Sequence, residues 1–246
     1  MSAADLLERS EARSARLLRR MYKQLAAAYG PQAWWPASSP FEVVVGAYLT
    51  QNTSWRGVER SILNLKSHGS LSVEGIREIP EESLRALIRP SGYMVRKASA
   101  IKAFVGFLDG EYAGSLDALA AEELPIARPK LLALPGVGPE TADAILLYAL
   151  GQPAMVVDEY LRRIVTRHAL LPERAKYKDM QALAELSLRP EEPETLVQHY
   201  NEFHALAVMV GKTHCGPTPK CEGCPLNPFL DRERTSASRT RITRSP

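Results

Sequence analysis

Leu134-Pro135-Gly136-Val137-Gly138-Pro139-Glu140-Thr141-Ala142-Asp143, with Asp158 twenty positions beyond Gly138, is the stretch whose reading decides the fold. Two glycines in a short turn between helices can take positive φ and bring the backbone close to another molecule with no Cβ in the way. Pro139 suits the first helical position, where a missing N–H leaves nothing unsatisfied. The free amides of the next turn then point outward at the positive end of the helix dipole, an arrangement that suits a phosphate oxygen. A plain helical hairpin can use the same turn for packing only, and the turn by itself leaves both readings open.

Downstream, residues 141–150 carry Ala142, Ile145, Leu146 and Ala149 on one stripe and predict a helix, ended by Gly151-Gln152-Pro153. The apolar run Ala154-Met155-Val156-Val157 delivers Asp158 to the start of a further helix over residues 159–168. A carboxylate there is either an N-cap, for which Asp is among the preferred residues, or a catalytic group held beside a bound nucleic-acid backbone. The two roles are compatible, because a cap fixes the carboxylate in place. Glu140 reads as a favourable first-turn carboxylate.

Outward from the hairpin nearly every segment reads as helix. Leu6, Leu7, Leu17, Leu18, Met21 and Leu25 give residues 5–28 a long amphipathic period that Gly30-Pro31 breaks. Helices are also expected over residues 41–51, 56–66, 81–88, 95–107, 115–121, 126–132, 178–188 and 195–212, with no sustained strand alternation and no internal repeat. The expected fold is all-α, one domain over residues 1–230, followed by a Ser/Thr/Arg-rich segment, 231–246, expected to be disordered and to add nonspecific attraction for a polyanion such as nucleic acid.

All three tryptophans, Trp34, Trp35 and Trp55, fall in one N-terminal window, whereas a core would be expected to scatter them. Indole faces attract cationic, electron-poor rings by stacking and through the ring quadrupole, so two of them could sandwich such a ring; the alternative is an anchor for a helical core. The net charge of +3 is mild, so affinity for a polyanion has to come from local clustering. Arg162, Arg163 and Arg167, and separately Arg96, Lys97 and Lys102, are such clusters, and charges of this kind most often form solvated faces. No apolar run is long enough to span a membrane, the start Met1-Ser2-Ala3-Ala4-Asp5 lacks a secretory pattern, and few cysteines suit a reducing cytosol. A cytoplasmic, nucleoid-associated monomer is expected.

The hairpin LPGVGPETADAILLYALGQP and the segment VVDEYLRRIVTRHAL resemble the helix-hairpin-helix and Gly/Pro-Asp signature of the endonuclease III (HhH-GPD) superfamily of DNA glycosylases. Within it the chain is most similar to the endonuclease III-like 3-methyladenine glycosylases, through Gly30-Pro31-Gln32-Ala33-Trp34-Trp35-Pro36, Ser39-Pro40-Phe41-Glu42-Val43 and Leu49-Thr50-Gln51-Asn52-Thr53-Ser54-Trp55. The motifs recur in one order over residues 29–226, which makes the resemblance specific.

This resemblance implies two helical lobes, a central one and a second built from both chain ends and a cysteine loop, with the DNA cleft and flipped-base pocket between them. It places the catalytic aspartate at Asp158 and the base pocket at Trp34, Trp35, Trp55 and Glu140, with Pro36 as wall. DNA contacts are implied for Gly136, Gly138 and Thr141, with Gln51 filling the hole left by a flipped base and Tyr93 wedging into the opposite strand; each of the last two is equally an ordinary packing or turn residue. Bifunctional relatives carry a lysine nucleophile where this chain has Glu140, so the resemblance implies base removal from double-stranded DNA without strand cleavage. Glycosylases extrude the target nucleotide first, and a methylated purine is already a good leaving group, so one anionic carboxylate suffices to stabilise an oxocarbenium-like sugar. The alternatives are an endonuclease III-type glycosylase and lyase for oxidised pyrimidines, against which the missing lysine argues, and a non-catalytic helix-hairpin-helix module, which needs neither Asp158 nor clustered tryptophans.

Cys215, Cys221 and Cys224, spaced C-x5-C-x2-C, resemble the iron–sulfur loop of these relatives and imply a structural [4Fe-4S] cluster. Those relatives supply four cysteines; this chain has three, and the fourth place, around Phe229-Leu230, is apolar. His214 or Asp231 is a candidate fourth ligand, zinc would equally need a fourth donor, and a loop of reduced thiols is the remaining reading.

Overall fold

The computed structural model describes residues 3–32, 34–189 and 193–230, so the basic segment 231–246 and Asp231 lie outside the described residues. Among the described residues there are helices and turns and no strand. The helices in chain order are α1 (Ala3–Tyr29), α2 (Pro40–Leu49), α3 (Trp55–Ser67), α4 (Val73–Glu78), α5 (Glu81–Leu87), α6 (Met94–Tyr112), α7 (Leu116–Ala120), α8 (Leu124–Leu132), α9 (Pro139–Ala144), α10 (Glu159–Arg167), α11 (Tyr177–Leu188) and α12 (Pro193–Thr213). Helix α4 is not expected from periodicity. Six residues are too few to repeat a period, and its start rests on the Ser72 hydroxyl, which accepts from Gly75 N. Helix α6 runs past Phe107 to Tyr112 and stops only at Ala113 and Gly114, both left-handed.

The chain divides into two compact units, one combining α1 with α10, α11 and α12, the other spanning residues 35–154. In the second unit α2 is buried along almost its whole length and sits among Ile101, Phe104, Ile145 and Leu146. Its N-terminus is closed by Ser39, whose hydroxyl accepts from Glu42 N, and Glu42 in turn accepts from Ser38 N at 3.0 Å and pairs with Lys66 at 2.8 Å. In the first unit Leu18, Met21 and Leu25 of α1 and Phe203, Leu206 and Val210 of α12 are buried, and the run Met155-Val156-Val157 is buried as it leads into α10.

Helices α8 and α9 form the expected hairpin, and Pro139 is the first residue of α9. Gly136 has φ 76°, a conformation that a side chain resists. Gly138 differs from expectation: its φ is −94° with ψ 176°, extended backbone open to any residue, and a Cβ there would meet nothing within 4 Å. The helix expected over 141–150 is regular only to Ala144; Ile145–Ala149 widens into a π turn. The two arms of the hairpin are tied by Arg128, whose Nε and Nη2 donate to Asp143 Oδ1 at 2.6 Å and Oδ2 at 3.0 Å, with Asp143 fully buried.

One cation is buried without a carboxylate among its hydrogen-bond acceptors. Lys97 Nζ donates to Leu49 O at 2.8 Å, Thr53 Oγ1 at 2.7 Å and Ser91 O at 2.8 Å, and burial pulls its pKa down to about 8.

Two predictions follow from these buried charges. Arg128→Ala takes the guanidinium from a buried carboxylate and should cost roughly 3–5 kcal/mol in urea unfolding; Asp143→Ala leaves a guanidinium that can turn to water and should cost less. The reverse order would contradict the assignment of Asp143 as the more deeply committed partner. For Lys97, the folded protein binds fewer protons than the unfolded chain between about 8 and the ordinary 10.5, so stability should rise with pH across that window. Lys97→Met should abolish that rise, on the order of 3 kcal/mol, in unfolding measured at several pH values.

Candidate active site

Asp158 is the N-cap of α10: Oδ1 accepts from Leu161 N at 2.7 Å, and the residue is only 8% exposed. Its other oxygen, Oδ2, lies 3.7 Å from His204 Nε2 of α12. Burial raises the Asp158 pKa above the ordinary carboxylate range, opposed by His204 and by the backbone N–H groups of Leu161 and Tyr160. Burial also lowers the His204 pKa, with Asp158 opposing, which favours a neutral imidazole. The group is thus a carboxylate with one oxygen fixed by a cap and the other facing an imidazole, sheltered from bulk water. A carboxylate so placed can stabilise a developing positive charge or orient a water molecule. The sequence carries no signal for His204. It lies inside an apolar helix far along the chain, and no spacing links it to Asp158.

The tryptophans divide. Trp35 and Trp55 belong to the unit of residues 35–154 and meet edge to face, with centroids 5.6 Å apart and planes at 72°. Tyr148, from the π turn, packs against Trp35 with centroids 5.5 Å apart. In this arrangement the Trp35–Trp55 pair is in direct contact and does not sandwich a third ring between its members, so the sandwich expected from sequence is not formed by these two. The Trp35 indole packs against α2 at Gly46, where a Cβ would stand 3.2 Å from the ring. Trp55 Nε1 donates to Glu59 Oε1 at 2.8 Å. Trp34 belongs to the other unit, where the Lys212 ammonium lies 5.7 Å from its ring centroid. Pro36 and Glu140 are exposed, Glu140 on the first turn of α9. Tyr148 carried no signal of its own, since a π turn is invisible to helical periodicity.

The hairpin face gathers the remaining residues. Gln51 Nε2 donates to Gly136 O at 2.9 Å and to Thr141 Oγ1 at 3.0 Å, docking the loop after α2 onto the hairpin. Tyr93, 61% exposed, stands at the start of α6 with left-handed φ 46°. Gln51, Asn52, Tyr93, Arg96, Pro135 and Gly136 share the lining of one cavity of about 600 Å3.

The basic clusters are surface groups that mostly bond within the chain, and Lys97 is their buried member. Arg162 and Arg163 both pair with Glu159, at 2.5 and 2.9 Å. Lys102 donates to the Arg77 and Ile79 carbonyls, and Arg167 donates to Cys215 Sγ at 3.1 Å, Gly216 O at 2.8 Å and Pro217 O at 2.9 Å. Arg96 is exposed.

Cys215, Cys221 and Cys224 line one small cavity of about 30 Å3, and Leu230 forms part of its wall. His214 Nδ1 lies 3.1 Å from Lys220 O, and His168 Nε2 lies 3.3 Å from Leu226 O, so both imidazoles bond to loop carbonyls. Among the described residues no three His, Cys, Asp or Glu side chains converge in a metal-holding arrangement. The described residues therefore do not fit a complete set of cluster ligands.

Comparison with known proteins agrees with this geometry. Residues 45–190 match the family described as HhH-GPD superfamily base excision DNA repair protein. The chain is 41% identical over 215 residues to a Methanocaldococcus jannaschii protein named as a candidate DNA repair glycosylase, covering 87% of this chain and 95% of that one. It is similar to the crystal structure of the H. pylori 3-methyladenine DNA glycosylase bound to 1,N6-ethenoadenine, with TM-score 0.70, 30% identity, and coverage of 81% of this chain and 97% of that one. An endonuclease III in a non-covalent DNA complex shares the fold, with TM-score 0.72, 23% identity, and coverage of 92% and 98%. The chain belongs to the HhH-GPD superfamily of base-excision repair proteins and is a DNA glycosylase.

Proposed function

We propose that this glycosylase hydrolyses the N-glycosidic bond of an alkylated purine, 3-methyladenine being the type, flipped out of double-stranded DNA, and leaves the strand intact. The observation that carries the reading is Asp158, a sheltered carboxylate with one oxygen tied to Leu161 N and the other facing the His204 imidazole at 3.7 Å. Similarity to a 3-methyladenine glycosylase at 30% identity supports the substrate class, and the Trp35, Trp55 and Tyr148 group supports recognition of a cationic ring.

In the reaction the bond between sugar C1′ and the purine nitrogen breaks, and its electron pair leaves with the base, which departs neutral. Asp158, ionised, stabilises the positive charge left on the sugar. Water adds at C1′ and its proton passes to the carboxylate and then to solvent. Glu140 stands where a lysine would attack C1′, and a carboxylate forms no Schiff base, so the abasic product is released uncleaved. Gly136 and Thr141 hold the DNA backbone, while Gln51 and Tyr93 enter the gap and the opposite strand. The protein acts as a monomer. The cysteine loop is structural in this reading and takes no part in the chemistry; iron analysis of the purified protein tests whether three thiols hold a cluster.

Asp158→Asn keeps a good capping residue while removing a buried charge, so it should be at least as stable as wild type near neutral pH. Base release from methylated DNA should fall by about a hundredfold or more. Equal release by both proteins would sink the catalytic assignment, and strand nicking without alkali would sink the hydrolytic one. Trp55→Ala should slow base release by roughly tenfold while leaving a cooperative unfolding transition. An unfolded Trp55→Ala would make Trp55 a core anchor instead.

A further inference from the structure

Two residues other than glycine hold left-handed backbone at the rim of the hairpin cavity, Asn52 with φ 50° and Tyr93 with φ 46°. Such conformations cost on the order of 1–3 kcal/mol each and persist only where the surroundings impose them. Both flank a single group, the Lys97 ammonium. On one side it bonds Leu49 O and Thr53 Oγ1, which bracket Gln51 and Asn52; on the other it bonds Ser91 O, two residues before Tyr93. The Thr53 hydroxyl also makes a short bond to Ser91 O, closing the knot.

Packing does not require a charge at this place. An unbranched apolar side chain would fill much of the same volume without desolvating an ammonium, and burial indeed works against the charged form, as does the positive end of α6 a few residues away. What an apolar side chain lacks is three donors converging from one atom on two separate chain segments.

We propose that Lys97 is a positioning residue that sets the spacing of Gln51 and Tyr93 so that both enter the DNA duplex together. The inference rests on the reading of Gln51 and Tyr93 as the residues that penetrate DNA. Because Gln51 is also bonded to Gly136 and Thr141 of the hairpin, the knot joins the opposite-strand wedge, the gap-filling side chain and the backbone grip into one rigid device within residues 35–154.

The test uses a duplex with a tetrahydrofuran abasic analogue and 2-aminopurine as the opposite base, whose fluorescence rises when it is unstacked and which requires no base release. At saturating full-length protein, the rise seen with wild type should fall about fivefold or more in Lys97→Met, in a variant that still unfolds cooperatively. Thr53→Val removes one acceptor of the knot and should give an intermediate fall; it carries the same expectation if Lys97→Met does not fold. A full rise in Lys97→Met or in Thr53→Val, with the rise lost in Tyr93→Ala, would overturn the inference and leave the role of Tyr93 standing. A full rise in Tyr93→Ala as well would overturn both.

Discussion

Asp158 is tied at 2.7 Å to the amide of Leu161 and otherwise withdrawn from water, and the unit built on α1 and α12 is arranged around that fact. A cap is cheap for a helix and restrictive for the capping side chain. Oδ1 is committed to the backbone, so Oδ2 has a set direction, and the neighbouring imidazole of His204 is itself buried. The raised pKa of the carboxylate reports the cost of this placement, and a residue selected for capping only would stabilise the helix better in contact with solvent. A glycosylase that works through one carboxylate needs this kind of rigidity, because a charge that follows the substrate instead of waiting for it must reorganise during the reaction.

The unit of residues 35–154 shows the same logic on its hairpin. Gly136 supplies the only left-handed position of the turn, the Arg128–Asp143 pair fixes the two arms, and Gln51 binds both Gly136 and Thr141. Groups that a sequence displays as separate motifs, some 85 to 90 residues apart, are one hydrogen-bonded surface. Charge within the chain is spent mainly on internal ties. Arg162 and Arg163 share Glu159, Arg167 holds the cysteine loop, and Lys97 and Lys102 bind backbone carbonyls. Arg96 is the exposed member of its cluster.

The helical architecture was legible because long amphipathic periods and strong punctuation, such as Gly30-Pro31 and Gly151-Gln152-Pro153, act locally. Asp158 was legible as a cap for the same reason, whereas its burial was not. Features that depend on tertiary geometry were not. Gly138 looked like a second left-handed glycine, but only Gly136 turns the chain that way. Tyr148 reaches Trp35 through a π turn, and the Trp34-Trp35 pair splits between two units, neither of which follows from spacing. Lys97 looked like one more surface cation. Its burial depends on three carbonyl and hydroxyl oxygens brought together by segments 49–53 and 91, which no local pattern announces.

The central claim is that an ionised, sheltered Asp158 performs base release, and the pH dependence of single-turnover release from methylated DNA tests it most directly. Burial raises the Asp158 pKa, so the carboxylate takes up its proton above the ordinary 3.8 as pH falls. The account predicts an acid limb on which the rate climbs as pH rises, with a midpoint above 3.8, and the limb should persist in His204→Gln. A rate that stays flat down to 3.8, or that falls as pH rises through this range, would contradict it.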